Sequence, residues 1–373
     1  MSSSPSVVLL AAGGTGGHLF PAQALATELQ RHGVAVELAT DERAAGYAKD
    51  FPARRIHALP AATPSSGSAL AKLGAIATLA RGVIVARSRI KTIAPAAIVG
   101  FGGYPTVPPM LAGSLLGAAT ILHEQNGVLG RANRFLAGRA TAIATGFATV
   151  RGVDGALAAK ASHVGNPVRP AVLEAARQPL RPFAPGGGLH LLAFGGSQGA
   201  RVMSDVVPPA LAALPQEMRQ RLRVTQQARQ EDVERARGIY RAAGIEAVVE
   251  PFFNDLPQRM AQSQLVIGRA GASTVAELAV IGRPAILVPL PGSLDQDQAA
   301  NAATLSSINA ARVIMQPDFT PLRLTQEIAD LMADPGWLTN AAAAAKSAGV
   351  PDAAARLAAL VGRVARLPEF SES

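Results

Sequence analysis

Two glycine-rich turns, each following a short apolar run, limit what this chain can fold into. The first is Ala11-Ala12-Gly13-Gly14-Thr15-Gly16-Gly17-His18, after Val7-Val8-Leu9-Leu10. The second is Gly195-Gly196-Ser197-Gln198-Gly199-Ala200, after Leu191-Leu192-Ala193-Phe194. Without a Cβ, glycine turns the backbone so that successive N–H groups can surround a charged oxygen. The helix start that follows adds unpaired donors and the positive end of its dipole. Each turn reads either as a phosphate cradle or as a tight βα turn that binds nothing, and its recurrence in an equivalent place favours the cradle. Neither carries the Gly-Lys-Ser/Thr ending of a P-loop. A nicotinamide fingerprint fits poorly too, with Asp41 the nearest acidic candidate for its ribose.

The grammar around the turns is strand–helix–strand. Strands are expected at residues 7–12, 34–40, 96–99, 120–122 and 141–144, with a helix at 18–31. The pattern restarts with strands at 189–194, 222–225, 247–250, 265–267, 285–288 and 312–315. Fully apolar strands separated by helices indicate parallel sheets covered on both faces. The expected fold class is therefore α/β, with two Rossmann-like doubly wound domains facing across a cleft. Gly165-Asn166-Pro167-Val168-Arg169-Pro170 and the Pro- and Gly-rich stretch 179–188 mark the boundary. This gives a first domain at 1–165 and a second at 166–344. The tail at 340–366 reads as helical with a break at Val350-Pro351, and residues 345–366 are expected to pack back on the first domain.

Hydrophobic residues are 49% and charged residues 16%, which supplies core material for both domains. The absence of cysteine excludes disulfides, a thiolate nucleophile and a Cys-ligated metal. The net charge of +9 points to an anionic partner. Basic residues are not interleaved with base-stacking aromatics, so no nucleic acid is expected. No apolar run reaches the roughly 20 residues needed to span a bilayer. The start Met-Ser-Ser-Ser-Pro-Ser has no basic region, so Val7 onward reads as a strand rather than a signal peptide.

Polar motifs fall repeatedly at the carboxyl ends of the expected strands, where ligands bind in such sheets. Gly268-Arg269-Ala270-Gly271-Ala272-Ser273-Thr274-Val275-Ala276-Glu277 reads as a strand end, a turn and a helix start. Ser273 or Thr274 would cap that helix. Glu277 is either a first-turn acid or an acceptor for ribose hydroxyls. Asp295-Gln296-Asp297-Gln298 offers amides suited to sugar hydroxyls, and its two carboxylates alone are thin grounds for a metal. Gly102-Gly103-Tyr104 and His123-Glu124-Gln125-Asn126 end neighbouring strands. His18 reads either as a helix-start residue or as a neutral imidazole that takes a proton from a sugar hydroxyl. His32, His57, His163 and His190 read as structural.

Taken together, GGTGGH, GFGGYPT, HEQN, GNPVR, FGGSQGA, RAGASTVAE and DQAANA, in this order, resemble the MurG family of peptidoglycan glycosyltransferases. The resemblance runs from about Val7 to Val364. It implies a GT-B fold and an inverting transfer with no metal and no cofactor. The donor would be UDP-N-acetylglucosamine. The acceptor would be O4 of the muramyl-pentapeptide on undecaprenyl diphosphate (lipid I), and the product lipid II. It further implies a peripheral position on the cytoplasmic face of the bacterial inner membrane, against anionic lipid. Carried onto this sequence, Thr15, Gly16, Gly17, Asn126 and Arg169 meet the donor. Ser197, Phe253, Gln298 and the span Ala272, Ser273, Thr274, Val275, Ala276 and Glu277 complete that set. His18 is the expected base, with Glu124 and Asn133 as further catalytic candidates. Gly13, Gly14, Tyr104 and His123 lie on the acceptor side. For the membrane, Leu73, Ile76, Leu79, Val83 and Ile90 fall on one helical arc interrupted by Lys72 and Arg87. Arg81, Arg89 and Lys91 are nearby, and Gly74 and Gly82 weaken the helix.

Overall fold

The structure is a computed structural model that describes residues 5–13, 16–42, 50–63, 68–184, 186–196 and 199–370. The chain divides into two compact units, Met1–Arg169 with Pro351–Ser373, and Pro170–Val350. The first unit extends to Arg169, beyond the expected boundary at 165, because Gly165 and Asn166 are tied into it. The Gly165 carbonyl accepts from His123, and the buried Asn166 amide donates to the Gln125 carbonyl at 2.9 Å.

Unit 1 is built on seven parallel strands: β1 (Val7–Ala11), β2 (Ala35–Thr40), β3 (Arg55–Ala58), β4 (Ala97–Gly100), β5 (Ala119–Glu124), β6 (Ala142–Thr145) and β7 (Ala161–His163). Their order is β3-β2-β1-β4-β5-β6-β7. Alternation of side chains along the strands serves two cores. On one face Val8, Leu10, Val36, Leu38 and Val99 pack with Ala22, Leu25 and Leu29 of the helix Gly16–Arg31. Leu357, Ala358 and Val361 of the helix Ala353–Ala365 close that same core, which is why the chain's last helix belongs to the first unit. On the other face Leu9, Ile98, Leu122 and Ile143 meet Ala86 and Ile90 of the helix Ala69–Ile93 and Met110 of the helix Val107–Leu115.

The helix Ala69–Ile93 divides the arc expected of it. Ile90 is buried in the core, and Leu79 and Val83 are half-buried against it, whereas Leu73 and Ile76 are exposed, as is Ile84 outside that arc. Gly82 acts through packing. A Cβ there would stand 2.2 Å from the Pro60 carbonyl oxygen and about as near as carbons allow to Pro108. Gly74 faces open space and carries only the propensity cost.

Unit 2 has β8 (Leu189–Phe194), β9 (Leu222–Gln227), β10 (Glu246–Glu250), β11 (Leu265–Gly268), β12 (Ala285–Leu287) and β13 (Ala311–Val313). They are again all parallel, in the order β10-β9-β8-β11-β12-β13. Leu189, Leu191, Ala193, Val224 and Ile267 bury against Met203, Val207 and Leu211 of the helix Arg201–Ala212 and Leu324 and Ile328 of the helix Pro321–Ala333. In both sheets the order reverses beside the first strand, between β1 and β4 and between β8 and β11. Crevices for ligands open at such points.

Candidate active site

In unit 1 the site forms where β1, β4 and β5 end. The helix after β1 begins at Gly16, so His18 sits in its first turn. Gly102 and Gly103, with φ of +86° and +75°, let the turn after β4 pass against the His18 ring. A Cβ on Gly103 would lie 3.4 Å from ring atoms, and one on Gly102 3.5 Å away. Burial lowers the His18 pKa, and the Gln125 side chain and the Phe101 carbonyl oppose that shift. The imidazole is neutral at pH 7, and its Nδ1 is buried without a hydrogen-bond partner. Gly13 packs its backbone against Pro105 and Thr40. Gly14 and Thr15 lie outside the described residues. Gly17 and Tyr104 are half-buried, and Tyr104 opens a single 3-10 turn.

The next strand delivers three buried polar side chains. His123 Nε2 donates to the Gly165 carbonyl at 3.1 Å, which fixes the neutral tautomer and leaves Nδ1 bare and unpartnered. Burial is the main cause that brings its pKa to about 4, and the His18 charge adds to it. Glu124 is 2% exposed, and its two oxygens take four donors. Oε1 accepts from the Asn126 backbone and side-chain amides at 2.9 and 3.3 Å. Oε2 accepts from Gly130 N at 2.9 Å and Asn133 Nδ2 at 2.8 Å. Burial raises its pKa against the pull of those donors. Glu124 thereby clamps the loop that leads into the helix Arg131–Ala137, and Asn133 holds the other side of the clamp. Arg169 lays its guanidinium over the Phe20 ring at 5.0 Å.

His123 makes a stability prediction. Its pKa is ordinarily near 6.5 when unfolded and about 4 here, so between those values the unfolded chain binds the extra proton. Stability is therefore full above pH 6.5 and falls as pH drops toward 4. His123→Phe should flatten the slope of thermal midpoint against pH in that window. An unchanged slope would remove His123 from the acid response.

In unit 2, Gly195 lies where a Cβ would collide with Ala200 N at 2.2 Å, and Gly196 and Gly199 have φ of +89° and +67°. Ser197 lies outside the described residues. After β11 the helix Ala272–Ile281 has Gly271 as its N-cap and no side-chain cap. The expectation that Ser273 or Thr274 caps it is thus corrected. The helix already starts at Ala272, before either residue, so both lie inside its first turn. The first intrahelical bond is Val275 N to Gly271 O, which leaves the leading N–H groups directed beyond the helix end. Ala272, Ser273, Thr274 and Ala276 are half-buried, and Val275 and Glu277 are buried.

The flanks are braced by residues that sequence reasoning passed over. Arg269, 8% exposed, donates to the Val288 and Pro289 carbonyls at 3.0 and 3.2 Å and to Gln316 Oε1 at 2.6 Å. Asn301 Nδ2 donates to the Ala270 carbonyl. An arginine and an asparagine inside otherwise apolar segments were the available signal. Gln298 is half-buried at the start of the helix Asp297–Ser306, and its Oε1 accepts from Leu290 N at 3.0 Å. Just before it Asp295 and Gln296 both adopt left-handed backbone, φ +55° and +56°, a costly conformation that accumulates at functional sites. Phe253 is buried under the Arg259 guanidinium, 4.3 Å from the ring, while Phe252 beside it is exposed. Among the described residues no group of three or more His, Asp or Glu side chains is arranged to hold a metal.

Two family models match this chain, the glycosyltransferase family 28 N-terminal domain over residues 8–145 and the family 28 C-terminal domain over residues 190–357. Fold and matches together define a family 28 glycosyltransferase of the GT-B architecture. A Methylobacterium radiotolerans protein named "UDP-N-acetylglucosamine--N-acetylmuramyl-(pentapeptide) pyrophosphoryl-undecaprenol N-acetylglucosamine transferase" is 60% identical over 95% of this chain and 96% of its own. A Rhodopseudomonas palustris protein of the same name is 53% identical over 98% of this chain and 100% of its own. The crystal structure of Acinetobacter baumannii MurG superposes with a TM-score of 0.79 at 30% identity, covering 96% of this chain and 100% of that one. The chain belongs to the MurG family. A Listeria monocytogenes protein described as a "putative UDP-N-acetylglucosamine 2-epimerase", at 15% identity and a TM-score of 0.66, shares the fold alone.

Proposed function

We propose that this chain transfers N-acetylglucosamine from UDP-N-acetylglucosamine to O4 of the muramyl unit of lipid I, forming lipid II. The observation that carries the reading is near-full-length identity of 60% with a transferase whose name states both substrates. In the proposed step the acceptor O4 attacks the anomeric carbon while His18 takes its proton. The C1–O bond to the diphosphate breaks, its electron pair leaves on the diphosphate oxygen, and the configuration inverts. His18 suits the role because burial keeps it neutral and its Nδ1 has no partner. The N–H groups opening the helix Ala272–Ile281, with the turn Gly195–Gly199, receive the leaving diphosphate.

Within that scheme Glu124 and Asn133 organise the loop from Asn126 to Gly130 rather than move protons, since both Glu124 oxygens are already occupied by donors. Gly13, Tyr104 and His123 stay on the acceptor side. Gly16, Gly17, Asn126, Arg169, Phe253 and Gln298 join Ala272 to Glu277 on the donor. Membrane attachment at the cytoplasmic face is supported by exposed Leu73, Ile76 and Ile84 alongside exposed Lys72, Arg81, Arg87, Arg89 and Lys91. No helix among the described residues is long and apolar enough to cross a membrane.

The decisive assay is UDP release from UDP-N-acetylglucosamine with and without a lipid I analogue. Release that depends on the analogue is expected. Conversion of the sugar nucleotide without lipid would favour an epimerase instead. Glu277→Ala should raise the KM for UDP-N-acetylglucosamine roughly 10- to 100-fold, the worth of a charge-assisted hydrogen bond to a hydroxyl. An unchanged KM would take Glu277 out of the donor site.

A further inference from the structure

We propose that Arg229 is a further donor-binding residue, whose guanidinium meets the phosphate oxygens of a nucleoside diphosphate held at the turn Gly195–Gly199. The inference rests on the reading of that turn as the seat of the leaving diphosphate. Arg229 follows β9, the neighbour of β8 in the sheet, so it emerges at the same carboxyl edge as the turn. The two segments touch. Gly199, left-handed at φ +67°, turns its bare Cα toward Arg229, and a Cβ there would lie 3.2 Å from the arginine Cγ and 3.7 Å from its backbone nitrogen. The stem of Arg229 therefore packs on the glycine turn itself. Both sides of that contact are fixed. Ala228 N donates to the Glu250 carbonyl at 3.1 Å, Gln227 Nε2 to the Pro251 carbonyl at 3.2 Å, and Asp232 N to the Arg229 carbonyl at 2.8 Å. On the turn, Gly199 N donates to the Gly196 carbonyl at 2.9 Å.

The charges on the adjoining segments point the same way. Arg201, which opens the helix after the turn, pairs with Asp205 at 3.4 Å. Arg235, on the helix Val233–Ala242, pairs with Asp205 and Asp232 at 2.7 and 2.6 Å. Arg269 spends its donors on Val288, Pro289 and Gln316. Arg229 is exposed, and among the described residues no acidic side chain pairs with it. Backbone N–H groups in a glycine turn bring dipoles but no formal charge. A guanidinium beside them supplies that charge in a planar fork matched to phosphate oxygens.

The test compares the inhibition constants of UDP and uridine for the parent, Arg229→Met and Arg229→Lys. Methionine keeps an unbranched stem on Gly199 and removes only the charge, and the thermal midpoint should stay at the parent's value because the guanidinium is exposed. In Arg229→Met the constant for UDP should rise roughly 10-fold while that for uridine, which has no phosphate, stays put. Arg229→Lys should fall between, since an ammonium keeps the charge but not the fork. Added salt should weaken UDP more in the parent than in Arg229→Met. Should Arg229→Met fail to fold, an intermediate loss for UDP alone in Arg229→Lys carries the test. An unchanged constant for UDP in the folded variants, or an equal loss for uridine, overturns the proposal. A parent that binds no UDP would instead overturn the reading of the turn beneath it, so the two failures are distinguishable.

Discussion

His18→Ala should transfer sugar about 10²- to 10⁴-fold more slowly than the parent, the usual contribution of a positioned general base. The loss should fall mainly on kcat, because the groups proposed to hold the donor's diphosphate lie in the other unit, at the turn after β8 and the helix Ala272–Ile281. The pH profile carries the sharper test. In the parent, the acidic limb should lie below the ordinary imidazole value of about 6.5, since burial lowers the His18 pKa and the base is inactivated only once it is protonated. In His18→Ala that limb should vanish, leaving a flat residual rate from leaving-group stabilisation. His18→Gln should resemble His18→Ala, because an amide fills the space beside Gly103 but cannot take a proton at neutral pH. A His18→Ala rate within a few-fold of the parent would sink the assignment and shift the search to His123, whose bare Nδ1 is the other unpartnered imidazole nitrogen in this unit's site.

How much of this was legible beforehand follows from the range over which each feature acts. The glycine turns, the strands before them and the histidine after the first are local, and a strand followed by Gly-Gly can be read one residue at a time. So can the parallel sheets, because apolar runs such as Ala97-Ile98-Val99 in β4 need cover on both faces. Strands β3 and β7 were not legible: Arg-Ile-His-Ala and Ala-Ser-His are too short and mixed to carry a period, and they form by pairing with β2 and β6. Glu124 shows the same limit in chemistry. Its sequence position suggests an acid or base at a strand end. Only the fold reveals that Gly130 and Asn133 come back to occupy its second oxygen. The helix at Ala272 misled for the opposite reason. Ser273 and Thr274 are strong caps in general, yet Gly271 takes the cap position and leaves the helix end open to a ligand.

The largest stability effect should come from Arg283, which has no part in the proposed chemistry. It is 1% exposed, and its guanidinium meets only carbonyls: Ala261 through both Nε and Nη2, Ile281 and Gly282 through Nη1 at 3.1 and 3.0 Å, and Gln178 at 3.3 Å. Lys346 extends the cluster, donating to the Val280 and Ala176 carbonyls at 2.6 and 3.2 Å. These oxygens belong to the ends of three helices, Pro170–Ala175, Leu256–Gln262 and Ala272–Ile281, so two cations satisfy acceptors at the negative ends of three dipoles. Burial brings the Arg283 pKa down to about 10, which still leaves it charged at pH 7. Arg283→Met would keep the volume and strand several buried carbonyls without donors. At about 1–3 kcal/mol for each such group, partly relieved by relaxation, the loss should reach roughly 3–5 kcal/mol. Arg283→Lys should fall between, since one ammonium cannot span the whole set. The measurement is convenient because the chain's single tryptophan, Trp337, lies in unit 2, on the helix Pro335–Ala348. Urea titration followed by its fluorescence should show the midpoint of that unit moving down in Arg283→Met. A midpoint unchanged from the parent would mean that the three helix ends find other donors, and that the buried guanidinium is dispensable to the fold.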